Sequence, residues 1–358
     1  MALLFMDSFD NYATPAIGAL GKWQTLVDAG SLTSIASGAG RNGTNAFKVN
    51  PNNQSGAGAY LQGVLATPLA RIVYGLAVKV TLFDALHEMT FLGFFDVNVG
   101  QVIVTILPNG QIRFRSGSAT GTVLATSNAS VITATNVYFY LEFDITFDTV
   151  NGAIVLHANG VNVPLSASSG FDTAPSGHDS FNTHQLGYLN SSVLSTTTYF
   201  IDDLYMLSTT GGQNTSFLGD VRVVCVFPNG AGASTQFTPN GAGTNWQCVN
   251  EVSEDAGTTF INDANVGDED LYTKQSIPVN TGQIFGIQQC AVAQKDAASG
   301  RSFANINLSG ATTTAGATHA LGLTYAWYLD VFEQDPNAAS AWTFTTFQAA
   351  QIGVKVAA

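Results

Sequence analysis

Apolar and polar residues alternate with a period of two along much of this chain, and a sustained 3.6-residue period is almost absent before residue 209. Residues 137–147, Val-Tyr-Phe-Tyr-Leu-Glu-Phe-Asp-Ile-Thr-Phe, give the clearest case. Leu141, Phe143, Ile145 and Phe147 point one way, and Glu142, Asp144 and Thr146 the other. The same reading predicts strands over 3–9, 23–27, 45–49, 71–82, 90–99, 102–107, 111–115, 122–126, 131–133, 153–158, 161–165 and 184–189. Asn109-Gly110 and Asn159-Gly160 each stand between two such runs and predict tight hairpins. Residues 16–20 suit a single helical turn.

The strongest strand is 199–207, Tyr-Phe-Ile-Asp-Asp-Leu-Tyr-Met-Leu, with two carboxylates in its middle. After it the chain turns to Ser, Thr, Gly and Asn, which cannot build a core. This predicts a domain over 1–208, a linker over 209–216 and a second domain over 217–358. The second is also expected to be mostly β, with strands over 221–227, 284–293, 302–308, 323–333 and 352–356 and a strand or short helix over 341–347. The predicted architecture is all-β: two antiparallel β domains, the first a sandwich or jelly roll and the second a sandwich.

Composition narrows the function. With 46% hydrophobic residues the chain can bury a large core, and only 10% of its residues are charged. Few charges suit surfaces that neighbours cover. The formal net charge is −13 and the 12 basic residues are scattered, so nucleic acid and anionic lipid are not expected partners. No run approaches eighteen apolar residues and the N-terminus lacks a basic leader, so the expectation is folding in a cytoplasm with no membrane insertion. Cys225, Cys248 and Cys290 are an odd number, expected as buried free thiols.

Candidate chemistry is sparse. Asp202 and Asp203 point to opposite faces if their strand is regular, and one of them could meet Asp7 or Asp10 from the first strand to hold Ca²⁺. Caps of turns and backbone amides are the competing use of such aspartates. Asp263, Asp268, Glu269 and Asp270 depart from the calcium-loop pattern and read as a solvated turn. The Gly-rich stretches 55–58 and 230–243 lack a Gly-Lys-Ser/Thr and read as surface loops. No nucleophile elbow is present and the five histidines are dispersed, so no catalytic residue is assigned. Trp23, Tyr188, Tyr205 and Trp246 are candidates for stacking on a sugar ring.

The order of Asp7-Ser8-Phe9, Tyr138-Phe139-Tyr140-Leu141-Glu142-Phe143, His157-Ala158-Asn159-Gly160-Val161 and Ile201-Asp202-Asp203-Leu204 resembles the concanavalin A-like or laminin-G-like jelly roll. That resemblance implies pairing of the first and last strands, and a structural calcium between them in some carbohydrate-binding members. Its laminarinase-like members carry Glu-x-Asp-x-x-Glu; here Glu142 and Asp144 match, but Phe147 stands where the second Glu belongs, and a solvent-facing pair looks the same.

The opening Met-Ala-Leu-Leu-Phe-Met-Asp-Ser-Phe-Asp-Asn-Tyr and the segment Phe217-Leu218-Gly219-Asp220-Val221-Arg222 are similar to a family of tailed-bacteriophage virion proteins. This implies a non-enzymatic structural protein in the virion, tail-associated or fibre-like, or else a head-surface decoration protein. Its implied partners are copies of itself, with a trimer expected from multivalent attachment, and other virion proteins. A glycan-binding adhesin recognising host-surface saccharide is the alternative from another class.

Overall fold

The computed structural model describes residues 2–12, 21–28, 30–52, 58–189, 195–241, 243–255, 257–278 and 282–358; the expected helical turn at 16–20 lies outside them. The chain forms two compact units, Leu4–Val223 and Val224–Ala358. Both are antiparallel β, as the period-two pattern predicts.

Among the described residues the first unit has sixteen strands: β1 Leu3–Asp7, β2 Thr25–Asp28, β3 Thr33–Ala36, β4 Ala46–Val49, β5 Ala59–Leu69, β6 Arg71–Leu82, β7 Met89–Asp96, β8 Val99–Ile106, β9 Ile112–Ser116, β10 Val123–Thr126, β11 Tyr138–Thr146, β12 Gly152–Ala158, β13 Val161–Val163, β14 Ser169–Phe171, β15 Phe181–Tyr188 and β16 Thr198–Ser208. One sheet runs β13-β12-β11-β6-β16-β4-β3, with β1 on β16 and β14 on β12. The other runs β10-β9-β8-β7-β15-β5-β2. First and last strands therefore pair, as the jelly-roll resemblance implies. Residues 131–133, expected as a strand, form none.

Between the sheets lies one core. β6 sends in Ile72, Tyr74, Leu76, Val78 and Val80, and β11 sends in Leu141, Phe143 and Ile145. β7, β8 and β15 answer with Phe91, Phe94, Val102, Val104, Phe181 and Leu186. Edge-to-face ring pairs such as Tyr74–Phe94 and Phe114–Phe143, at 5.7 and 6.0 Å, lock the layers together. Fully burying each such side chain contributes about 1.5–3 kcal/mol, so this interface is what holds the sandwich closed.

The second unit has a five-stranded sheet ordered Pro228–Thr235, Glu269–Lys274, Gln351–Val356, Ser302–Ser309, Thr312–Ala320, and a two-stranded ribbon, Ile287–Ala293 with Ala326–Phe332. Polar side chains link ribbon and sheet: Gln289 Nε2 donates to the Gly353 carbonyl at 2.5 Å, Asn307 Nδ2 to Gln289 Oε1, and Asn305 Nδ2 to Asp330 Oδ2. A short helix, Phe344–Ala349, ends on buried Lys274, whose Nζ donates to the carbonyls of Phe347 and Ala350.

Three expectations fail here. Residues 221–227 form no strand, because their backbone bonds go elsewhere. The Gly-rich stretch from 230 is a strand rather than a loop through Thr235, its small residues lying against Glu269–Lys274. Asp270 is no solvated turn residue: it is buried in that strand and accepts from Gln236 N, Phe237 N, Asn245 Nδ2 and Tyr272 Oη. Among the cysteines, Cys248 is buried, while Cys225 and Cys290 are half-buried.

Candidate functional site

Of the predicted site residues, Asp202, Asp203 and Tyr205 lie along the outer face of the nine-stranded sheet. That face carries Tyr138, Tyr140, Glu142 and Asp144 from β11 and Gly75, Ala77 and Lys79 from β6, set opposite one another in register. On β16 the register shifts between Asp202, opposite Ala77, and Tyr205, opposite Gly75, leaving one extra residue. Asp203 takes it up with φ at +49°, a bulge. The bulge lets Tyr199, Ile201, Leu204 and Met206 all reach the core. It also overturns the opposite-face expectation for the two aspartates, which both meet Arg41.

Arg41 is the centre of a clasp. Its backbone N–H donates to Asp202 Oδ2 at 2.8 Å and its Nη1 to Asp203 Oδ2 at 3.0 Å. The same guanidinium reaches the Val221 carbonyl at 2.9 Å and the Asp220 carboxylate. Its plane lies 5.3 Å over the Tyr140 ring. Segment 217–223 is thereby strapped across the sheet. Gly219 N donates to Glu142 Oε1 at 2.8 Å, Leu218 N to the Tyr205 hydroxyl at 3.2 Å, and Val223 N to Asp203 Oδ1 at 2.8 Å. Phe217 stacks on His157 at 4.0 Å. These are the bonds that residues 217–223 make in place of a strand ladder.

Beneath the strap Glu142 is 0% exposed; Oε1 also accepts from Tyr205 Oη at 2.6 Å, and Oε2 has no hydrogen-bond partner among the described residues. The solvent-facing reading of Glu142 is therefore corrected. Asp144 is held by a two-pronged bond to Arg71, at 2.8 and 2.7 Å.

Asp7 sits where β1 ends and is spent on its surroundings. Oδ1 accepts from Phe9 N at 2.9 Å and pairs with Lys22 Nζ at 2.8 Å; Oδ2 accepts from Tyr12 Oη at 2.7 Å and Trp23 Nε1 at 2.9 Å. Asp10 accepts from Asn45 N at 2.9 Å. Burial, then the nearby Asp203 charge, raises the carboxyl of Asp202 above its ordinary value; burial chiefly raises those of Asp203 and Asp10. A calcium ion needs six to eight oxygens around one point. Among the described residues no three His, Cys, Asp or Glu side chains converge so, and the oxygens of Asp7 already take four protein donors. The described residues do not fit that ion; Lys22 and Arg41 supply the positive charge instead.

Three of the four aromatic candidates cannot offer a face to a sugar. Tyr188 is a core residue at 0% exposure, Trp23 is 4% exposed with its N–H on Asp7, and Tyr205 is 2% exposed with its hydroxyl on Glu142. Trp246 is half-buried and, with Tyr272, Thr235 and Thr244, lines a cavity of about 240 Å³ in the second unit.

Sequence reasoning missed another row on the same sheet face. Tyr138 lies opposite Lys79, Lys79 opposite Phe200, and Phe200 opposite Lys48, across β11, β6, β16 and β4. Lys79 Nζ stands 4.6 Å from the Tyr138 ring and 4.7 Å from the Phe200 ring, and Lys48 Nζ 6.0 Å from Phe200. All four are half-exposed. A lysine set between valines on a core strand was the available signal.

No family model matches the chain, and no curated protein sequence does. Among solved structures, "Cellulose induced protein, Cip1" is 13% identical over 62% of this chain and 100% of that one, with a TM-score of 0.41. Domain 4 of AbnA, a GH43 extracellular arabinanase from Geobacillus stearothermophilus, in complex with arabinotriose, is 19% identical over 57% and 92%, at 0.35. The catalytic domain of the glycoside hydrolase family 131 protein from Coprinopsis cinerea is 15% identical over 62% and 99%, also at 0.35.

Proposed function

We propose that this chain is a non-enzymatic, saccharide-binding β-sandwich protein that serves as a structural component of a tailed-phage virion, tail-associated or fibre-like. One observation carries the non-enzymatic part. Glycoside cleavage needs two carboxyl groups reaching a bond and a water from either side. Here Glu142 is sealed beneath residues 217–223 and Asp144 is tied to Arg71. The virion setting rests on the resemblance of the opening residues and of Phe217-Leu218-Gly219-Asp220-Val221-Arg222. The fold gives that second motif a purpose, as the strap that closes the sheet. Self-assembly, with a trimer as the expected state, is part of the same reading.

The test has two arms. A glycan array with the full chain should give selective binding, and a reducing-end assay on the bound glycans should stay at background. Depolymerisation that Glu142→Gln abolishes would make the protein a hydrolase instead. Mass spectrometry of purified particles should find the chain at stoichiometric abundance, and its absence would remove the virion setting.

A further inference from the structure

We propose that the row Tyr138–Lys79–Phe200–Lys48 binds an acidic saccharide chain, with the two ammonium groups holding its carboxylates and the two aromatic side chains packing against its sugar rings. This rests on the saccharide-binding reading and narrows it to anionic polymers.

Geometry comes first. The four residues are consecutive cross-strand neighbours, so their side chains stand in one line across the sheet. Strands lie about 4.8 Å apart, which sets the two lysine backbones roughly 10 Å apart with an aromatic residue between them. A polymer lying across the strands meets ring, cation, ring, cation in turn.

Charge comes second. The sequence holds 25 acidic residues, and Lys22, Arg41, Arg71, Arg113, Arg115, Arg301 and Lys355 each pair with one. Among the described residues neither Lys48 nor Lys79 has a carboxylate within 4.0 Å. Lys79 gives one hydrogen to the Ala39 carbonyl at 2.6 Å, and an ammonium has three. Asp202 acts on Lys79 through space without forming an ion pair, so among the described residues this acidic protein keeps two cations outside any salt bridge on a half-exposed, ring-lined strip. Two cations are too few to displace the counterions of a nucleic acid, whereas alternation with rings suits a sugar that has both a carboxylate and an apolar face.

The test uses the full chain and immobilised sodium polygalacturonate, with dextran as the neutral probe, at low and high salt. Polygalacturonate should bind, weaken with salt and exceed dextran. Lys48→Gln, which removes only the charge from a half-exposed side chain, should weaken binding about ten- to a hundredfold with an unchanged circular dichroism spectrum. Lys355→Gln, in the other unit, should leave it unchanged. Equal binding of dextran, or wild-type affinity in Lys48→Gln, overturns the acidic-saccharide row while leaving the wider reading standing. No binding to polygalacturonate, dextran or any arrayed glycan rejects both.

Discussion

Replacing Gly75 by alanine drives a methyl group into the ring of Tyr205. A Cβ built on Gly75 lies 2.2 Å from Tyr205 Cε1 and 2.7 Å from Cζ, far inside contact distance. The ring cannot lift freely, because its hydroxyl donates to Glu142 at 2.6 Å and accepts from Leu218 N at 3.2 Å. Overpacking of this kind costs about 1–3 kcal/mol. If the ring is expelled, the bond to a charged acceptor adds about 1.5–3 kcal/mol. Gly75→Ala should therefore destabilise the first unit by about 1–3 kcal/mol if the ring yields in place and about 2.5–6 kcal/mol if it is expelled. In a Tyr205→Ala background the sign should reverse, since the new methyl has room and alanine in a strand gains about 0.5–1 kcal/mol over glycine. Urea unfolding of the four proteins in the cycle, followed by amide exchange within β6 and β16, measures both numbers. Equal cost in the two backgrounds would refute the idea that the ring is why position 75 is glycine. As a second readout, residues 209–216 should be cut faster by protease in Gly75→Ala, because the strap loses the anchor of Leu218 N on the Tyr205 hydroxyl.

Further perturbations test the other charged groups. Asp10, Asp202 and Asp203 have raised carboxyl pKa values in the folded chain, so it binds more protons than the unfolded one. Their stabilisation is complete below the unfolded value of about 3.9 and is lost as the pH rises through the folded values. Urea midpoints of the first unit should fall from about pH 6.5 to pH 8, above the range in which buried His184 works in the opposite sense, and flatten in Asp202→Asn; a midpoint that rises over that window contradicts the assignment. Asp7→Asn removes the charge facing Lys22 and strands a donor of Tyr12 or Trp23, so a loss of about 3–5 kcal/mol is expected, and an unchanged melting curve would show that the hub is dispensable. Lys274, pushed down to about 8 by burial, should make the second unit more stable as the pH rises from about 8 towards 10. Lys274→Met should abolish that rise and cost about 1–3 kcal/mol by leaving two carbonyls at the helix end unpaired, which thermal unfolding can check.

Sequence alone located most of the first unit's strands, their inward faces and the hairpins at Asn109-Gly110 and Asn159-Gly160, because these depend on neighbours one or two residues away; it failed at 131–133, 221–227 and 230–235, where the pairing partner decides. It placed Leu141, Phe143 and Ile145 inward and Glu142 outward, and the sandwich agrees. What covers an outward face is another matter. Glu142 and Tyr205 are covered by residues 217–223, which cross the sheet, and alternation along one strand says nothing about such a strap. The bulge at Asp203 is equally silent in sequence: one extra residue moves a side chain to the other face, and only the register with β6 reveals it. Tertiary structure alone brought Lys48, Lys79, Tyr138 and Phe200 into one row, because cross-strand neighbours are set by sheet order rather than by chain distance.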